Sequence, residues 1–282
     1  MDTPLVLSHR QVEPVLAARG QGKATARLSP DLGLSEVEVA LCAKGVRLPD
    51  GQTLDWAKLA TIAKADHQCF ILEQGRIRKV QRFSAATNRL ISLVPTASAP
   101  ALLISGLLMH RIKDTTPDRD TQSKVRAIAP ITGRILDTMT GLGYTAIAAA
   151  QTAAEVITIE LDPAVLDVAR CNPWSRALFA NPKITQVVGD SAVEVTRFED
   201  DSFARIVHDP PTFDLAGELY AGEFYRELFR ILQPGGRLFH YVGNLDSRSG
   251  RGVATGVLRR LQAAGFRGVT TRPAAFGVVA TK

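Results

Sequence analysis

Four acidic residues stand where apolar runs of this 282-residue chain end: Asp137 after Ile135-Leu136, Glu160 after Val156-Ile157-Thr158-Ile159, Asp190 after Ile184 to Val188 and a glycine, and Asp209 after Val207-His208. An acid in such a place is carried by a strand and meets a ligand at the strand's carboxyl end. From the first of them the chain reads DTMTGLGYTAIAAA, a glycine-spaced turn that runs straight into a helix-forming stretch. Gly141 and Gly143 would let the backbone approach a ligand where a Cβ would clash. The N–H groups at the start of Tyr144 to Ala150 would face that ligand. A turn of this kind holds a nucleotide-like cofactor.

Placing these acids side by side takes a parallel sheet, and the rest of the C-terminal half reads as one. Ile135 to Asp137, Val156 to Glu160, Ile184 to Val188 and Ala204 to Val207 are the expected buried strands, with Asp162 as N-cap and Pro163 opening the helix after the second. Phe224, Tyr225, Leu228, Phe229 and Leu232 recur at helical spacing within Gly217 to Leu232, which stops at Pro234-Gly235-Gly236. Leu238 to Val242 is a fifth strand and Gly252 to Ala264 a helix, and Val269 to Arg272 with Gly277 to Thr281 forms an antiparallel closing pair.

The turn has two readings. Gly141-x-Gly143-x-x-Ala146 satisfies the dinucleotide fingerprint. Asp137 followed by Thr138, Met139 and Thr140 also resembles the acidic-x-Gly-x-Gly-x-Gly motif of class I S-adenosylmethionine (SAM) methyltransferases, with Met139 in place of the first glycine, where its side chain would narrow the methionine end of the pocket. The downstream acids favour the second reading. Glu160, 17 residues past Gly143, can accept both ribose hydroxyls, and the resemblance implies that Asp190 meets the adenine amino group. It implies Asp137, Thr138, Gly141, Gly143, Glu160, Leu161, Asp190 and Ser191 as cofactor-binding residues and SAM as the cofactor. The implied fold is α/β, a Rossmann-like seven-stranded and mostly parallel sheet.

Asp209-Pro210-Pro211-Thr212-Phe213 resembles the (Asp/Asn)-Pro-Pro-aromatic motif of methyltransferases that modify amino nitrogens, with Thr212 between the second proline and the aromatic. The chemistry fits those residues. A carboxylate and the Pro210 carbonyl that accept the two N–H bonds of a conjugated amino group would draw it toward tetrahedral geometry, with its lone pair aimed at the methyl. The prolines fix φ and turn that carbonyl inward, and Phe213 would stack on a planar target. Together with NPWS at Asn172 to Ser175 and GGRLFHYVGN ending at Asn244, these strings resemble a group of archaeal and bacterial methyltransferases sometimes labelled spermine-synthase-like. That label also raises aminopropyl transfer from decarboxylated SAM, for which a polyamine would need several acids near the fourth strand. This chain offers Asp209 and Asp214 there.

The whole net charge of +6 lies in residues 1–130, which hold 18 basic and 12 acidic side chains against 16 and 16 in residues 131–282. Residues 1–100 are expected to form a small α+β domain, a candidate substrate reader. Residues 101–130 would be a linker with a helix, Asp120 to Ala129, over the cofactor pocket, and residues 131–282 the catalytic domain. In the first part Ser35 to Leu41 alternates like a strand, Pro49-Asp50-Gly51 is a turn, Leu54 to Ala65 a helix, and Cys69 to Leu72 with Arg76 to Phe83 a hairpin. On that hairpin Arg76, Arg78 and Arg82 would share one face, which could track RNA phosphates or be plainly solvated. His110 and Arg111 are weaker substrate candidates. His208 is expected to make a structural hydrogen bond, Trp174 to pack a helix end, and Ser247 to Gly252 to form a flexible loop.

Cys42, Cys69 and Cys171 are odd in number and in no metal spacing, so reduced thiols in a cytoplasm and no zinc or iron site are expected. No run of about 18 apolar residues predicts a membrane span, and no signal segment is expected at the start. The reading is a SAM-dependent methyltransferase acting on an amino nitrogen of RNA, with a small amine or protein side chain as runner-up. The non-enzymatic alternative, a SAM-binding recruitment module, leaves Asp209-Pro210-Pro211 unexplained.

Overall fold

Near-continuous apolar runs build a seven-stranded sheet in the C-terminal half: β1 (Arg134–Asp137), β2 (Glu155–Glu160), β3 (Ile184–Val188), β4 (Phe203–His208), β5 (Leu232–Tyr241), β6 (Arg267–Arg272) and β7 (Gly277–Thr281). In this computed structural model, which describes residues 5–48, 51–73, 75–213 and 215–282, the strand order is β3-β2-β1-β4-β5-β7-β6. The expected turn at Pro49 and Asp50, and the acid Asp214, lie outside the described residues. Strands β1 to β5 are parallel and β7 runs antiparallel to both of its neighbours. This is the expected Rossmann-like α/β sheet with its antiparallel closing pair. The chain travels outward from β1 through β2 to β3, then returns to β4 on the other side of β1. That reversal opens a crevice at the carboxyl ends of β1 and β4.

Helix α1 (Pro117–Ala127) precedes β1, α2 (Tyr144–Ala149) follows it, α3 (Gly222–Ile231) precedes β5, and α4 (Arg248–Ala263) follows β5. Leu136, Ile206, Leu238, Tyr225, Leu228 and Val257 are fully buried in one core, each adding about 1.5–3 kcal/mol by leaving water. Two differences from expectation have local causes. Helix α3 ends at Ile231 because Leu232 already turns extended and pairs with Phe203, so Pro234-Gly235-Gly236 falls inside a strand whose register slips between Phe203 and Arg205. Ser247 Oγ accepts from Gly250 N (2.9 Å) and caps α4, so Arg248 to Gly252 is helical and not a flexible loop.

The chain divides into two compact units, Met1–Pro117 with Ala164–Arg176, and Asp118–Pro163 with Ala177–Lys282. The first holds a helix, His9–Gly20, opened by a Ser8–Gln11 capping box, a second helix, Trp56–Ala63, and three small antiparallel sheets. Val12, Val15, Val39, Leu54, Leu59 and Phe70 form its core. The helix expected from Leu54 starts at Trp56, since Thr53–Asp55 pairs as a strand with Gly45–Arg47. The arginine face is also corrected. At Val80 the strand changes partners, which puts Arg76 and Arg78 opposite Phe70–Glu73 and Arg82 opposite Ile91 in another sheet. Arg78 further forms an ion pair with Glu73. The Trp174 indole N–H donates to the carbonyl of Leu32, which lies in a turn between two strands (3.1 Å).

Candidate active site

The glycine turn after β1 is held by its own backbone. Gly143 N donates to Thr140 O (2.7 Å), Thr140 N to Ile159 O (2.8 Å), and Gly141 N to Glu160 Oε2 (2.9 Å). These donors are therefore spent inside the protein and do not form the open anion cradle that a pyrophosphate needs. Both glycines are left-handed, at φ +53 and +77. A Cβ on Gly141 would meet nothing within 4 Å, so this is where a ligand can come close to the main chain. A Cβ on Gly143 would instead fall 2.7 Å from the Leu178 side chain. The clash expected from a ligand at Gly143 comes from packing. Met139 packs against the core, its sulfur 3.9 Å from Ser191 Oγ.

Glu160, at the end of β2, also accepts from Asp162 N through Oε1 (3.1 Å), so each carboxylate oxygen holds one backbone N–H and keeps lone-pair capacity for a hydroxyl. Burial pushes its pKa up to about 7 against the pull of those N–H groups. Asp137, at the end of β1, is 1% exposed and accepts from Thr158 Oγ1 (3.0 Å) and, at 3.4 Å, from Met139 N. Burial raises it to about 8, opposed by the Thr158 hydroxyl and reinforced by the charge of Asp209. Two buried carboxylates beside the turn disfavour an anionic ligand and suit a cationic one.

The remaining cofactor candidates divide. Ser191 Oγ donates to the Thr138 carbonyl (2.5 Å), and the Thr138 hydroxyl sits 2.7 Å from His208 Nδ1, so both side chains brace the turn. Asp190 is exposed and caps the following helix through Ala192 N (2.8 Å), a structural use for an acid that its strand-end position did not suggest. Leu161 is 54% exposed beside Glu160, an apolar surface of the kind a flat base covers.

Asp209 follows β4, which pairs directly with β1. Its Oδ2 lies 2.5 Å from Lys124 Nζ on α1, and Lys124 also pairs with Asp120 (2.8 Å). The sequence reading placed this helix near the pocket but missed Lys124; the available signal was Asp120 four residues before it, one helical turn away. Pro210 is buried and the Pro211 carbonyl is taken by Tyr220 Oη (2.8 Å). Phe213 is 48% exposed, with its ring edge-on to Tyr220 (5.5 Å). His208 is fully buried between Thr138 and the Leu219 carbonyl (3.0 Å), the structural role expected of it, and burial pushes it down to about 3. His110 and Arg111 belong to the N-terminal unit, where His110 Nδ1 accepts from Leu102 N (3.1 Å). Among the described residues no group of three His, Cys, Asp or Glu side chains is placed to hold a metal ion.

Residues 135–236 match the family model of a methyltransferase domain. An uncharacterized protein of Methanocaldococcus jannaschii, MJ1233, is 43% identical over 241 residues, 85% of this chain and 82% of that one. Among solved structures, a spermidine synthase in complex with the transition-state analogue AdoDATO superposes with a TM-score of 0.54 at 19% identity, covering 68% of this chain and 69% of the other. MNMC2 from Aquifex aeolicus gives 0.52 at 19% identity, over 68% and 70%. At such identities these two likenesses concern the fold.

Proposed function

We propose a reaction for this chain, which belongs to the same family as the Methanocaldococcus jannaschii protein MJ1233 and is a class I SAM-dependent methyltransferase: transfer of a methyl group from SAM to an amino nitrogen carried by RNA. The observation that carries the reading is the place of Asp209-Pro210-Pro211, on the strand next to β1 at the mouth opened by the chain's reversal. The residues fit the cofactor: an open Cβ direction at Gly141, an acceptor pair on Glu160, an exposed apolar side chain at Leu161, and buried carboxylates that suit a cation. SAM, when bound, supplies a methyl group on a positively charged sulfur.

Glu160 then accepts the ribose hydroxyls, and Asp190 the adenine amino group. Asp209 and the Pro210 carbonyl accept the N–H bonds of the substrate nitrogen and hold its lone pair toward the methyl. A nitrogen that already carries a lone pair needs positioning more than deprotonation, and His208, buried and neutral, is no base for it. RNA as the substrate is supported by the basic excess of residues 1–130, with Arg76 and Lys79 exposed on an edge strand. The free thiols Cys42, Cys69 and Cys171 accord with a cytoplasmic location.

Incubation with methyl-labelled SAM and a gentle cell extract tests the reading. Label in an RNase-sensitive precipitate is the expected result. Label confined to small molecules would move the substrate to a small amine, and no label at all would count against transfer.

A further inference from the structure

Lys124 has no part in the reaction as proposed, yet its ammonium is closely enclosed. It donates to Asp120 Oδ2 (2.8 Å) and Asp209 Oδ2 (2.5 Å) and stands 4.7 Å from the centroid of the Tyr241 ring. Its side chain is 7% exposed and that of Asp120 3%, whereas Asp209 keeps 24%. Taking an ammonium out of water costs several kcal/mol unless carboxylates and a polarisable face replace the water. Three groups do so here, and of the two carboxylates Asp209 is the one that still reaches solvent, at the end of β4.

We propose that Lys124 is a specificity-determining residue: by pairing with Asp209 from behind, it favours as methyl acceptor a nitrogen that arrives uncharged, such as an aromatic or amide-like amino group, over an alkylammonium group. This rests on the reading that Asp209 meets the acceptor nitrogen. An unpaired carboxylate at that corner would attract an alkylammonium and hold it in the form that has no lone pair to give. Beside Lys124, an arriving cation meets a like charge in contact with the carboxylate, which weakens the attraction, while the buried Asp120 leaves the trio one negative charge overall. A neutral amino group still donates its N–H bonds to Asp209 and carries no charge for Lys124 to repel. Lys124 itself takes no proton away: burial works against its charge, but Asp209 and Asp120 outweigh burial and hold it protonated.

The test is calorimetric titration of the full chain with 1,4-diaminobutane, a diammonium at neutral pH, with and without S-adenosylhomocysteine. Lys124→Met alone would leave the Asp120 carboxylate buried without the Lys124 ammonium, so it is made together with Asp120→Asn. The wild type and Lys124→Arg, which keep a cation beside Asp209, are expected to bind the diamine weakly and alike, and Asp120→Asn, which removes one negative charge, no more tightly. The Asp120→Asn, Lys124→Met double variant is expected to bind it about tenfold more tightly, the scale of one gained charged hydrogen bond, and to lose the gain when Asp209→Asn is added. Equal affinity of Asp120→Asn and the double variant would overturn the inference, as would a gain over wild type already present in Asp120→Asn. S-adenosylhomocysteine affinity separates the two ideas: its absence in the wild type counts against the methyltransferase reading, while the diamine comparison still judges Lys124.

Discussion

The carboxylates at the two sides of the crevice are kept in opposite electrostatic states. Asp137 and Glu160 are held by neutral donors, backbone N–H groups and the Thr158 hydroxyl, and burial lifts them to about 8 and about 7. Asp209 has the ammonium of Lys124 in contact. One side lacks a positive charge that a sulfonium cofactor would bring. The other already has one in Lys124, so a second cation there gains less. Under the proposed reaction, charge balance would give cofactor and acceptor different sides of the crevice.

The sharpest way to break this comparison is Asp209→Ala. Turnover of methyl label is expected to fall at least about 100-fold while S-adenosylhomocysteine binding stays nearly intact; unchanged turnover would remove the residue from the reaction. Glu160→Gln should weaken SAM about 10- to 100-fold by calorimetry with the circular dichroism spectrum preserved, and undiminished affinity would refute the ribose role. Asp137→Asn probes the missing charge directly. Asp137 binds its proton more tightly folded than unfolded, so its cost to stability is absent below its ordinary value of 3.8 and grows as pH rises toward about 8. The variant should therefore melt a few degrees above wild type at pH 8 without cofactor, and the difference should shrink at pH 5. A pH-independent Tm difference would show that the carboxyl is not held protonated.

The smallest effects separate the two glycines. Alanine at either forces a left-handed backbone, worth about 1 kcal/mol, and at Gly143 it also displaces Leu178. In urea unfolding Gly143→Ala should lose more, about 2 kcal/mol, whereas Gly141→Ala should do the greater harm to cofactor affinity.

Much of the catalytic unit was legible because its strands are apolar runs that end in acids, a local signal, and because glycine spacing marks the turn between β1 and α2. The antiparallel pair at the sheet edge was equally readable from Val269 to Thr281. Lys124 was not, since it meets Asp209 across 85 residues of chain and only the folded sheet brings them together. The arginine face failed for a related reason. Alternation from Arg76 to Arg82 looks unbroken in sequence, but Val80 hands the strand from one sheet to another, and no periodicity records a change of partner. Nor did the sequence distinguish the glycine that opens space from the one that closes on Leu178.

The His208 ring carries a fixed wiring. The Leu219 carbonyl can only accept, so Nε2 bears the hydrogen, and Nδ1 must then receive the Thr138 hydroxyl. With its pKa near 3, the ring keeps this single tautomer at any pH where an assay would be run. It joins Thr138, just after β1, to Leu219, beyond Asp209-Pro210-Pro211, by bonds that do not change near neutrality. A titration in the rate near neutrality would therefore not be that of His208, while Glu160 and Asp137 across the crevice are pushed into that range.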